Sequence, residues 1–107
     1  MPDKQRTLSI EERFNHLAKE WKMETKGLSL AASKITNDHY LAIIGLGVTY
    51  GDRIVKLILN DLSNSTAYWH YALKKITNQN PVPKEFITDV DRTRHFWLEW
   101  ATENRMI

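Results

Sequence analysis

Apolar side chains recur along this chain at helical spacing. Ile10, Phe14, Leu17 and Trp21 share one face of a 3.6-residue period, while Arg13, Lys19 and Glu20 fall elsewhere. Ser9 with Glu12 three residues on is a capping-box signature, so a helix is predicted from about Ile10 to Lys26, with Gly27 as its stop. Residues 28–36 fit either a short helical turn or an extended connector. Asn37 or Asp38 would cap a short helix through Ile44, which Gly45 and Gly47 are expected to break. A further helix should begin near Gly51 and Asp52 and end near Leu62. Its Ile54, Val55, Leu57, Ile58, Leu59 and Leu62 cover most of the circumference and leave a polar strip of Asp52, Arg53, Lys56 and Asn60. A helix apolar over so wide an arc packs on more than one side, which makes it the central element.

The second half repeats the logic with aromatic residues. Ser65 is a good cap for a helix over Thr66–Thr77, with Trp69, Ala72, Leu73 and Ile76 as its core stripe. The short Ser63-Asn64-Ser65 connection would make this helix the antiparallel neighbour of the central one. Pro81 and Pro83 make Asn78–Lys84 a stiff, non-helical connector. Thr88 or Asp89 then caps a last helix carrying Val90, Thr93, Phe96, Trp97, Trp100 and Ala101 on one side. No segment alternates as a strand would. The expected architecture is all-α: a small single-domain bundle of about five helices over residues 9–107, built around a helical hairpin, with residues 1–8 as a flexible leader.

Composition narrows the picture by exclusion. The 107 residues are the size of one domain and contain no cysteine, which removes disulfides, thiolate metal sites and a cysteine nucleophile. The first nine residues lack the apolar core of a signal peptide, and the longest apolar run, Leu41–Val48, is too short to span a bilayer, so a cytoplasmic location is expected. The net charge of +2 is spread rather than clustered. From Met1 to Lys26, Lys4, Arg6, Arg13, Lys19, Lys22 and Lys26 are interleaved with Asp3, Glu11, Glu12, Glu20 and Glu24, the pattern of a solvated mixed face.

The string Ile44-Gly45-Leu46-Gly47, then Ile54, Leu57, Ile58 and Leu62, then Trp69, Ala72, Leu73, Ile76 and Thr77 resembles a HEAT-like helical repeat unit. Together with Trp21, Glu24 and Thr25, Pro81-Val82-Pro83 and a Trp-rich end, the chain is similar to a group of short bacterial proteins of unassigned function, over about Phe14 to Trp100. Two positions depart from that pattern: Asn78-Gln79-Asn80 replaces a glycine-containing turn, and Ala101 replaces a glycine. The resemblance implies a helical fold and transfers no catalytic residues.

Candidate chemistry is sparse. Gly45-Leu46-Gly47 with Gly51 has the spacing G-x-G-x-x-x-G and no preceding strand, so it reads as a helix break rather than a phosphate loop. His16, His39, His70 and His95 sit one per predicted helix, and carboxylates such as Glu20 could join them at a metal. No His-x-x-x-His or Glu-x-x-His occurs within a helix, however, so scattered histidines are the simpler reading. No serine has a nucleophile-elbow context. No enzymatic activity and no cofactor is therefore expected. Tyr68, Tyr71 and Lys75 define a strip beside the core face, and Arg94, His95 and Leu98 on the last helix flank the same region. These six are the candidate protein-binding residues, because tyrosine, tryptophan and arginine dominate interface hot spots. The expected partner is another protein or a second copy of the chain, as an accessory module of a bacterial complex. Nucleic-acid binding through Lys19, Lys22, Lys26, Lys74 and Lys75 is the alternative.

Overall fold

The computed structural model describes residues 8–27 and 31–107, and within them the protein is all-helical. Six α-helices follow one another: α1 (Ile10–Glu24), α2 (Ala31–Ile35), α3 (Asp38–Tyr50), α4 (Asp52–Asn64), α5 (His70–Thr77) and α6 (Val90–Glu103), with a 3-10 turn at Lys84–Phe86. There is no strand among the described residues. None of their helices is long and apolar enough to cross a membrane. The leader expected over residues 1–8 lies outside the described residues except for Leu8.

The capping box that marks the start of α1 is formed: the Ser9 hydroxyl accepts from the Glu12 N–H, and the Glu12 carboxylate accepts from the Ser9 N–H. The helix ends at Glu24, two residues before the expected Lys26. The Thr25 hydroxyl donates back to the Trp21 carbonyl at 2.7 Å, and Gly27 takes a φ of +88°.

The largest correction concerns Gly45 and Gly47. They do not break a helix; α3 runs through both, from its Asn37 cap to Tyr50. A glycine inside a helix costs about 1 kcal/mol relative to alanine, a penalty tertiary packing can override. At Gly47 the packing reason is direct, because a Cβ there would collide with the side chain of Ile76 on α5. The break falls instead at Gly51, whose φ of 58° and ψ of −123° end α3 and start α4 in a single residue.

The aromatic helix is also shorter than expected. Ser65 is extended and closes α4, and α5 begins only at His70. No side chain of α5's own segment caps it. The Tyr40 hydroxyl, delivered from α3, accepts from the Ala72 N–H at 3.0 Å and donates to the Tyr68 carbonyl at 3.0 Å. A cap supplied from another helix leaves no local signature in the sequence. At the other end Asn78 takes the left-handed conformation (φ 58°), a position that most often falls to glycine and next to asparagine. Asp89, rather than Thr88, caps α6.

The buried hydrophobic side chains other than Tyr68 form one cluster, and α4 is at its centre as expected. Ile54, Val55, Ile58, Leu59 and Leu62 are buried, and α4 touches α1, α3, α5 and α6. α5 makes more of its contacts with α3 than with α4, so the expected two-helix hairpin is in fact the edge of a three-helix unit. Trp69 is fully buried and lies within 6 Å of Phe14, Trp21 and Tyr40, ring centre to ring centre. Its indole N–H donates to Asp61 at 2.7 Å; that carboxylate also accepts from Lys22 at 2.7 Å and from the Ser65 hydroxyl at 3.1 Å. The indole of Trp21 donates to the Lys34 carbonyl and that of Trp97 to His70. Each buried tryptophan thus brings a donor that is paired, which removes the cost of burying it.

Candidate functional site

The six residues singled out from the sequence do not form one surface. Tyr68 lies ahead of α5 rather than on it, so the i, i+3, i+7 relation to Tyr71 and Lys75 is not realised. Tyr68 is only 7% exposed; its hydroxyl donates to the Ile87 carbonyl at 3.4 Å, and burial pushes its pKa up. Tyr71 is half-buried against the core, with the exposed Lys75 ammonium 5.8 Å from its ring centre. On α6, Arg94 donates through Nε to the Leu62 carbonyl at 2.7 Å and through Nη2 to the Ser63 carbonyl at 3.0 Å. It therefore neutralises the negative end of α4 and ties α6 to it. His95 is exposed, edge-on to Phe96, and Leu98 is half-buried. Arg94, His95 and Leu98 do converge, lining an open groove of about 400 Å³ with Ser63, Glu99 and Thr102. Tyr68 lines a different cleft, beside Trp21, Lys22, Lys26 and Lys34.

A more extensive surface lies on α3, where the sequence pattern drew no attention. Between Asp38 and Asp52 the only ionisable side chains are His39 and the two tyrosines. Tyr40, Ile43 and Gly47 face the core, as three positions one turn apart must. The opposite face carries Leu41, Ala42, Gly45, Val48 and Thr49, all exposed. Leu41 is 47% and Val48 74% exposed, and the space over Gly45 is open. A helix apolar on every side is ordinarily enclosed on every side. Here half of the circumference faces solvent. Beside this face an open groove of about 300 Å³ runs between α1 and α3, lined by Leu8, Leu17, Ala42 and Leu46, with Arg13 and His16 on its α1 side. The signal that could have revealed it is the run Leu41–Val48, which has no polar strip of its own. Treating its two glycines as breakers hides the continuous helix.

At the end of α1 the Glu24 carboxylate accepts from Asn37 at 2.9 Å and pairs with His39 Nδ1 at 2.8 Å, and these contacts hold its pKa below the usual carboxylate value. Glu20, one turn earlier, brings a carboxylate oxygen to within 4.8 Å of both; this is the only such group of metal-ligating side chains among the described residues. The His39–Glu24 hydrogen bond accounts for the approach of those two side chains. The other three histidines do not join it: His16 is exposed beside the apolar groove, His70 is buried and His95 lies on α6. A polar cleft of about 320 Å³ beside the α3–α4 corner has Asp52 as its only ionisable lining residue. Of the lysines weighed for nucleic-acid contact, Lys22 is engaged by Asp61 and Lys75 lies against Tyr71.

Comparison with known proteins finds no family model, no curated protein and no solved structure that matches this chain.

Proposed function

We propose that this protein is a non-enzymatic interaction module that receives an amphipathic helix of a partner protein along α3. The observation that carries the reading is the uncharged outer face of α3, exposed from Leu41 to Thr49. The groove between α1 and α3 supplies a seat of helix-in-groove form, in which apolar anchors at one-turn spacing enter between two ridges. Arg13 and His16 on its wall, with no carboxylate among the lining residues, fit a partner helix whose apolar stripe is bordered by acidic side chains. The Arg94/His95/Leu98 groove on α6 is a second contact of the same module. The resemblance to short bacterial helical proteins supports an accessory role within a larger bacterial complex.

The test uses the full chain as bait, once unchanged and once with Ala42→Arg. Ala42 is exposed, so a charged side chain there leaves the core intact while obstructing the groove. A partner purified on the unchanged chain and then titrated against both forms should bind the variant at least about ten-fold more weakly, equivalent to about 1.4 kcal/mol. Equal affinity for both forms would refute the proposal. A gel shift with duplex and single-stranded DNA provides the discriminating arm: binding that falls steeply with salt would favour the nucleic-acid alternative.

A further inference from the structure

A second feature, independent of the α3 face, lies between α5 and α6. His70, the first residue of α5, is 3% exposed, and its Nδ1 lies 3.0 Å from the Trp97 indole nitrogen of α6. An indole N–H can only donate, so Nδ1 must be the acceptor and the ring proton of neutral His70 must sit on Nε2. That Nε2 is the one buried side-chain nitrogen or oxygen without a hydrogen-bond partner among the described residues. The ring is thus held in a single tautomer by a single bond, and its only free lone pair is the one the indole uses.

We propose that His70 and Trp97 form an acid-operated latch: a proton taken from solvent by His70 Nδ1 replaces the acceptor with a second donor, breaks the indole bond and releases α6 from α5. A charge and a helix dipole act against protonation of the ring. Lys74, one turn on in α5, repels the added charge, as does the positive end of α5 itself. Tyr68, edge-on to the imidazole at 6.2 Å, is kept neutral by burial. From α3, the Tyr40 hydroxyl is already engaged at Tyr68 and Ala72; from α4, Asp61 is committed to Lys22 and Trp69. Burial first, and Lys74 second, hold the imidazole below its ordinary pKa of 6.5. The unfolded chain therefore binds this proton at higher pH than the folded one. Stability is complete above that ordinary value and falls as the pH drops through the lower folded value.

The experiment is a nitrogen-15 NMR titration of the labelled full chain from about pH 8 to about pH 4, the range that spans histidine ionisation. The expected result is an Nε2–H tautomer for His70, a midpoint below the ordinary imidazole value, and a Trp97 indole resonance that moves with that midpoint. His70→Asn places a non-titrating oxygen near Nδ1 and should leave the indole resonance still across the same range. Trp97→Phe removes the opposing donor and should raise the His70 midpoint, a readout that holds even if the asparagine variant fails to fold. An Nδ1–H tautomer, an ordinary midpoint, an indole signal indifferent to the titration, or a midpoint unmoved by Trp97→Phe would each overturn the latch.

Discussion

α3 and α4 are both thirteen residues long and are joined through one glycine, yet they are opposite kinds of helix. α4 divides its circumference cleanly: five buried aliphatic residues face inward, while Asp52, Arg53, Lys56 and Asn60 face solvent. α3 is more apolar overall and buries less, with only Tyr40, Ile43 and Gly47 enclosed. The contrast teaches where to look for function. A finished amphipathic helix explains its own sequence through folding, whereas the apolar residues on the outer face of α3 are left out of the core and form the surface on which the proposed function rests.

The largest loss is expected at Ile58, which is fully buried on α4. Ile58→Ala should cost about 2–5 kcal/mol by denaturant unfolding, through lost burial and the cavity left behind. The shared cap comes next. Tyr40→Phe strands the Ala72 N–H and the Tyr68 carbonyl in the core, and a loss of about 1–3 kcal/mol is expected by the same measurement. The two mid-helix glycines should then respond with opposite signs. Gly47→Ala collides with Ile76, and the expected overpacking loss of about 1–3 kcal/mol exceeds the propensity gain; Gly45→Ala meets open space and should stabilise by up to about 1 kcal/mol. The smallest effect belongs to the outer face: Val48→Ser, at 74% exposure, should stay within about 0.5 kcal/mol of the unchanged chain. A large loss there would mean that the outer face is structural and would remove the contrast with α4.

Periodicity and caps make much of the fold legible from the residues alone. The Ser9–Glu12 box, the wide apolar arc of α4, the Pro81–Pro83 connector and the Asp89 cap are local features whose physics is complete within a few residues. The candidate site is far less legible. The Tyr68/Tyr71/Lys75 strip requires a helix from Thr66, but the chain stays non-helical as far as Trp69, whose indole reaches Asp61. Arg94 has the character of an interface arginine, yet its donors close the end of α4. The exposed face of α3 escapes a local reading because a glycine's cost is weighed there without the neighbour that makes it worthwhile.

A helical fold with a central apolar helix, a tryptophan-rich core and no thiol chemistry follows from composition and from spacing along the chain alone. Contacts across the fold set the rest: α3 runs through two glycines, the Tyr40 hydroxyl of α3 caps α5 at Ala72, and part of the apolar surface of α3 is left facing water. Those outcomes depend on contacts between residues distant in sequence. A Cβ that would strike Ile76, or a hydroxyl that meets Ala72, has no representation in the local pattern.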